Sequence, residues 1–449
     1  MAQREEKILK DAFAAALAVA EPKHIVPEYL ARIFPVGSEP KGRCLVIGAG
    51  KASAAMATAL ESYAASHWPD AQLEGIVLTR YGHASPTKHI AIVEAGHPVP
   101  DQAGMDGAIQ MMHRVGELKS GDILIALVSG GGSSLLTLPQ AGITIEDIRQ
   151  TTEALLRSGA PIEEMNIVRK HLSAILGGNV ARLAIARGAR VEALLISDVT
   201  GDSPADIASG PCAADYSTYE DACAILSKYN LGPDAIPASV LAHLEKGRSG
   251  LILETLKEVD LVNQPVRNHV IATAHRSLEA AAECVRQFGY TPFILGDTIT
   301  GEAKDVALVH AGLAREAITH GQWGALPMAL ISGGECTVTL PAGVKGRGGR
   351  CSEFLLSLFA ATPDLGGIAA LAADTDGIDG SEKNAGAWFT PATRKRARDE
   401  HKRAGHYLAA HDCYGFFSEL DALVQTGPTL TNVNDFRIIL LPAELGAKQ

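Results

Sequence analysis

A lysine set just after a glycine turn is the first pattern in this chain that could do chemistry: Val46-Ile47-Gly48-Ala49-Gly50-Lys51-Ala52-Ser53 reads as a strand passing through glycines into a helix of small residues. Such a turn lets backbone N–H groups approach an anion, and the helix start adds partial positive charge. A cation at that end is disfavoured by about 0.3–1 kcal/mol, so Lys51 asks for an anionic partner. The bland alternative is a tight turn with a solvated lysine. A second pattern, Ser129-Gly130-Gly131-Gly132-Ser133-Ser134, follows the most hydrophobic strand-like run. Three consecutive glycines cost conformational entropy, and what they permit is close backbone approach to a ligand. Their N–H groups form an anion nest with both serine hydroxyls as further donors, unless the loop is merely flexible. Ser332-Gly333-Gly334-Glu335 offers a similar nest in the second half. In Lys345-Gly346-Arg347-Gly348-Gly349-Arg350-Cys351-Ser352-Glu353, cations alternate with glycines. That suits a loop closing over phosphate, with Arg350 best placed to grip oxygens bidentately, or else a charged surface hairpin.

Carboxylates close two strand-like runs, Ser197-Asp198-Val199-Thr200-Gly201-Asp202 and Ala373-Asp374-Thr375-Asp376-Gly377-Ile378-Asp379-Gly380. Ligands of open α/β sheets bind beyond the carboxyl ends of strands, and magnesium takes one or two carboxylates plus phosphate oxygens and water. Asp198, Asp202 and Asp376 are therefore candidate metal ligands, with turn-making or helix capping as the alternative. The second run lacks the spacing and terminal glutamate of a calcium loop. His97, in Gly96-His97-Pro98-Val99-Pro100-Asp101, either contacts substrate or holds a proline-stiffened turn. Arg169, beside Asn166 and Lys170, either binds a carboxylate or lies on a solvated helix face.

These residues need elements to position them. β-branched apolar runs at Cys44–Ile47, Ile76–Thr79, Ile90–Glu94, Ile123–Ser129 and Leu194–Ser197 predict strands, as do His269–Ala272, Phe293–Leu295, Ala329–Ser332, Ile368–Ala372 and Phe436–Leu441. Helical periods at Lys51–Ser66, Glu164–Arg187, Ser277–Phe288 and Glu302–His320 lie between them. The alternation predicts an α/β protein with parallel sheets covered on both faces. At 449 residues the chain exceeds what one hydrophobic core serves, and the proline-rich stretch Tyr229–Asn268 places the break near Gly250, giving domains 1–250 and 251–449. A net charge of −11 with no basic run argues against nucleic acid. No apolar run approaches the ~18 residues of a membrane helix, and the charged N-terminus does not read as a signal peptide. Seven cysteines without a Cys-x-x-Cys pair fit reduced thiols in a cytoplasm. The glycine turn is neither a Walker A loop nor a good dinucleotide fingerprint, because Ser53 stands at the third glycine and the second strand ends in Thr79-Arg80 in place of an acid.

Taken in order, these motifs resemble the glycerate 2-kinase family, also called class II glycerate kinases or the MOFRL family, some of whose members are labelled hydroxypyruvate reductases. The likeness runs over nearly the whole chain. It includes Asn166-Ile167-Val168-Arg169-Lys170-His171-Leu172-Ser173, Ser209-Gly210-Pro211 and Thr431-Asn432-Val433-Asn434-Asp435 besides the motifs above. The resemblance implies a Rossmann-like N-terminal domain, a smaller MOFRL domain, an active site in the cleft between them, and ATP with Mg2+. It also implies a catalytic lysine and arginine, matched here by Lys51 and Arg350. Gly48, Gly50, His97, the 129–134 loop, Arg169 and Ser332-Gly333-Gly334-Glu335 become expected nucleotide- or substrate-binding residues. Ala274 and Leu430 depart from the family pattern. The expected reaction is phosphorylation of D-glycerate at its 2-hydroxyl. NAD(P)H-dependent reduction of hydroxypyruvate is the rival, and a catalytically silent anion-binding protein is a third reading. The expected partner is a small molecule, with a homo-oligomer left open.

Overall fold

The computed structural model describes residues 2–321, 323–341 and 343–448. The chain forms two compact units, Pro22–Ile271 and a second built from Met1–Glu21 together with Ala272–Gln449.

The first unit is organised by a six-stranded sheet of β1 (Gly42–Ala49), β2 (Ala71–Arg80), β3 (Ile90–Ala95), β4 (Ile123–Val128), β5 (Arg190–Ile196) and β6 (Val266–Ala272). The strand order is β3-β2-β1-β4-β5-β6. The pairs β1–β2, β2–β3, β1–β4 and β4–β5 are all parallel. β4 is the apolar run Ile-Leu-Ile-Ala-Leu-Val, and Leu124–Val128 are all buried, as expected of a central strand covered on both faces. The chain direction of the order reverses between β1 and β4. That is the switch point at which open α/β sheets hold ligands beyond their carboxyl ends.

Three expectations change here. The break expected near Gly250 lies instead at Ile271/Ala272, because β6 completes this sheet beside β5. The single helix expected over Glu164–Arg187 is two, Ile162–His171 and Asn179–Ala186. Gly177 and Gly178 separate them at φ +60° and +79°, and a Cβ on Gly178 would lie 2.4 Å from that of Leu256. The first residues belong to the second unit. The helix Ala2–Ala18 buries Ile8, Leu9, Ala12, Phe13 and Ala16 along one face, and Phe13 meets Phe436 at 5.6 Å between ring centroids.

The second unit contains β7 (Thr291–Gly296), β8 (Gly301–Glu302), β9 (Met328–Gly334), β10 (Cys336–Thr337), β11 (Ala369–Asp374), β12 (Gly386–Phe389), β13 (Leu423–Val424) and β14 (Asp435–Leu441). β8 and β10 form a small parallel pair. The other six are ordered β13-β12-β11-β14-β9-β7. Only β7–β9 is parallel in this sheet; β9–β14, β14–β11, β11–β12 and β12–β13 are antiparallel. The parallel sheet expected for this half is thus a mixed one. β11 and β12 are joined by the loop 375–385, which carries no crossover helix, so the chain reverses on itself. Among the described residues no helix is long and apolar enough to cross a membrane.

Candidate active site

The two glycine motifs of the first unit end neighbouring strands at the switch point, and the fold splices them together. Ser129 donates its N–H to the Ala49 carbonyl at 3.1 Å, Lys51 donates to the Gly130 carbonyl at 2.9 Å, and Ala52 donates to Ser129 Oγ at 3.0 Å. Glycine is required for that approach. A Cβ on Gly48 would lie 2.4 Å from the Leu127 carbonyl oxygen, and one on Gly50, at φ +138°, 2.2 Å from Ser129 Oγ. The consequence corrects one expectation. Gly50, Lys51, Ala52 and Ser53 all spend their N–H groups inside the protein, so the first turn is a joint and not an anion nest; its contribution is the half-buried Lys51 side chain.

The second loop keeps its donors. Gly130, Gly131 and Ser133 have no backbone acceptor for their N–H groups among the described residues. Neighbours crowd this loop. Gly131 lies at φ +80° with His97 Nε2 2.7 Å from where its Cβ would stand, and Gly132 faces Ala208 at 2.6 Å in the same sense. Ser134 donates to the Gly131 carbonyl at 3.1 Å, which tightens the loop. Ser133 Oγ pairs with Ser209 Oγ at 2.8 Å. Ser209 reaches it because Ala208, Ser209 and Gly210 are all left-handed, at φ +48°, +56° and +58°. Two such non-glycine residues in a row are strained by about 1–3 kcal/mol each, and the surroundings hold them. Asp206, just before, is tied to the buried Lys170 at 3.5 Å, and Lys170 is tied to the buried Asp215 at 3.1 Å. Lys170, Asp206, Asp215 and Ser209 received no role from sequence; Lys170 and Ser209 at least lay inside ordered motifs, whereas nothing local singled out Asp206 or Asp215.

Asp198 and Asp202 follow β5, half-buried, at the same carboxyl end of the sheet as the glycine loops. Among the described residues no three acidic, histidine or cysteine side chains cluster as a metal cage. Magnesium with phosphate oxygens asks only for one or two carboxylates, a demand that aspartate at these positions meets by residue type. Asp376 fits less well. It is buried in the second unit, where its Oδ1 accepts the Ile378 N–H at 2.9 Å.

In the second unit Arg350 opens the helix Arg350–Ala361, and three carboxylates hold it. Its Nε donates to Asp435 Oδ1 at 2.7 Å, its Nη2 to Asp374 Oδ2 at 2.8 Å, and its Nη1 lies 3.1 Å from Glu335 Oε1. Burial opposes the charge, but Asp435, Asp374 and Glu335 outweigh it and push the pKa up, so this side chain stays a cation with a fixed orientation. Asp379 caps the same helix by accepting the N–H groups of Cys351 and Ser352 at 2.9 and 2.8 Å. The aspartate-rich run therefore builds the seat of Arg350. Arg347 is pinned through two nitrogens to Asp412, both at 3.1 Å, and does not serve as a free phosphate clamp.

Ser332, Gly333 and Gly334 are not a nest. They lie within β9, paired residue for residue with Arg437, Phe436 and Asp435 of β14. Ser332 is buried against His310 Nε2 at 3.0 Å, and the Gly333 carbonyl accepts from Arg437 at 2.9 Å. Only Glu335 emerges, to meet Arg350. Leu430, which departs from the family pattern, stands in the left-handed region at φ +58°.

Two family descriptions match the chain: DUF4147, a domain of unknown function, over residues 8–245, and the MOFRL family over residues 328–435. A protein of Agrobacterium vitis, provisionally named a hydroxypyruvate reductase, is 47% identical over 97% of this chain and 94% of its own length. The glycerate 2-kinase of Pyrococcus horikoshii is 39% identical over 91% of this chain and 89% of its own. The crystal structure of the glycerate kinase of Thermotoga maritima superposes with a TM-score of 0.84 at 33% identity, covering 98% of this chain and all of that one. These matches, which span nearly the whole chain, show that it belongs to the MOFRL family of glycerate 2-kinases.

Proposed function

We propose that this protein transfers the terminal phosphoryl group of ATP to the 2-hydroxyl of D-glycerate, giving 2-phosphoglycerate and ADP. The observation that carries the reading is the joint at the switch point, where Lys51 is held against Gly130 beside a loop with unspent N–H donors. In this account Gly130 and Gly131 hold phosphate oxygens, with His97 bounding the loop. Lys51 and Arg350 stabilise the charge on the transferring group. The glycerate hydroxyl oxygen forms the new bond to the terminal phosphorus as the bond to the ADP oxygen breaks, and the hydroxyl proton passes to solvent. Catalysis of this kind is mainly positioning and electrostatics. Asp198 and Asp202 would hold Mg2+, which when bound neutralises phosphate charge. The Rossmann-like description of the first unit, suggested by its strand order, and a cytoplasmic setting, suggested by free cysteines throughout, belong to the same proposal.

The names of some relatives favour a second reading, reduction of hydroxypyruvate by NAD(P)H. The end of β2 speaks against it. Where a ribose-binding acid is needed the chain has Thr79-Arg80, and Thr79 donates its hydroxyl to the Gly50 carbonyl at 3.1 Å. ADP formation separates the readings, including that of a silent anion-binding protein. It is expected only with glycerate and Mg2+ both present. It should fall by roughly 100-fold in kcat/KM, mostly through kcat, in Lys51→Ala and Arg350→Lys. NADH oxidation by hydroxypyruvate without ADP formation would overturn the proposal.

A further inference from the structure

Two consecutive cations end the helix Ile162–His171, and their surroundings are opposite. Lys170 is buried and neutralised by Asp215 at 3.1 Å and Asp206 at 3.5 Å. Arg169 meets only neutral acceptors: Nη1 faces Asn166 Oδ1 at 3.3 Å and Nη2 faces the Ser133 carbonyl at 3.4 Å. Among the described residues no carboxylate lies within ion-pair reach of it, although surrounding protein disfavours its charge and lowers its pKa. Most of its N–H donors stay unspent. A partly withdrawn guanidinium without a counter-ion is costly unless an anion arrives to pair with it.

Its place selects which anion. The Lys51 N–H is bonded to the loop at the Gly130 carbonyl, whereas the Arg169 side chain touches the loop at the Ser133 carbonyl. A phosphate held by the N–H groups of Gly130 and Gly131 leaves Arg169 for a second anionic group. The acid nearest in sequence to the strained loop, Asp206, is engaged by Lys170. We propose that Arg169 receives the carboxylate of the acceptor, and so makes the enzyme select a 2-hydroxy acid over an uncharged polyol. This rests on the glycerate-kinase reading above. In a 2-hydroxy acid the carboxylate and the reacting hydroxyl share one carbon, so a bidentate grip on the carboxylate also aims the hydroxyl.

The test uses the full chain with Arg169→Gln and Arg169→Lys. Glycerate binding is measured by calorimetry without nucleotide, and KM is measured for glycerate and for ATP. Arg169→Gln is expected to weaken glycerate binding and raise its KM by about 100-fold while the KM for ATP moves by less than about threefold. Arg169→Lys, which keeps charge but loses the fork, falls between. Glycerol, which has CH2OH in place of the carboxylate, should be a poor acceptor for the wild type, and the preference for glycerate over it should shrink in Arg169→Gln. A KM for ATP that rises in step with that for glycerate would assign Arg169 to phosphate and overturn the proposal, as would unchanged glycerate binding. If Arg169→Gln lacks a cooperative melt, the same criteria apply to Arg169→Lys. A wild type that binds glycerate but forms no ADP would sink the kinase reading alone, since the calorimetric comparison still decides the role of Arg169.

Discussion

Arg350 and Arg437 share one carboxylate: Asp435 gives Oδ1 to Arg350 Nε at 2.7 Å and Oδ2 to Arg437 Nη2 at 2.6 Å. Arg437 is almost wholly buried within β14. It also donates to the Gly333 carbonyl at 2.9 Å and to Cys336 Sγ at 3.1 Å. A central strand thus carries the charge that fixes Asp435, and Asp435 fixes the expected catalytic arginine.

Replacing Arg437 by Met should therefore do two things. Breaking a buried pair from one side leaves Asp435 short of a partner, at an expected cost of about 3–5 kcal/mol in urea unfolding. If the folded variant keeps activity at saturating substrate, then Arg350 does not need this support. The account expects kcat to fall and Arg437→Lys to recover part of it.

Gly131→Ala tests the crowding of the phosphate loop. Gly131 and Gly121 both lie in the left-handed region, at φ +80° and +92°, but only Gly131 has a neighbour, His97, where a Cβ would go. Alanine at either position should cost about 1–3 kcal/mol of strain. Only Gly131→Ala should also lower kcat/KM; an equal effect of Gly121→Ala on activity would detach the loop from function.

The pH dependence of stability contains two opposed contributions in the second unit. Burial lowers the His310 pKa from 6.5 to about 4, with Nδ1–H donating to the Val306 carbonyl and Nε2 accepting from Ser332. The unfolded chain binds that proton first, so this contribution is complete above pH 6.5 and is lost as pH falls toward 4. Burial raises the Asp379 pKa from 3.8 to about 6, against the pull of its helix-capping hydrogen bonds. There the folded chain binds the proton first, so its contribution is complete below pH 3.8 and is lost as pH rises through about 6. Between pH 4 and 6 the two slopes oppose one another, each at most about 1.4 kcal/mol per pH unit. In chemical denaturation across this window, His310→Gln should make stability fall more steeply with rising pH, and Asp379→Asn should make it rise more steeply. Parallel profiles for all three proteins would refute both assignments.

What was legible in the sequence was local. Gly48 to Lys51, the 129–134 loop and Arg350 stand out because glycine and cation at fixed spacing carry their meaning within a few residues, and the α/β alternation follows from apolar runs of strand length. What was not legible depends on partners far along the chain. Ser332-Gly333-Gly334 resembles the first glycine loop in composition, yet its peptide groups pair with β14, a strand from the end of the chain. Asp379 reads as a turn residue and instead caps a helix that precedes it. Arg437 sits in an otherwise apolar run, Phe436–Leu441, and a charge there was the one sign that a buried ion pair had to exist. Whether Lys170 or Arg169 would be neutralised depended on which of the two faced Asp206 and Asp215, which helical spacing alone does not decide.

Phosphorus NMR of the products from D-glycerate, ATP and Mg2+ tests the central claim most directly. The account predicts ADP together with a new phosphomonoester resonance split into a doublet by the single proton on carbon 2. A triplet, from a phosphate on the CH2 of carbon 3, would contradict the assigned hydroxyl. No phosphate ester at all, in a preparation that oxidises NADH with hydroxypyruvate, would contradict the kinase account as a whole.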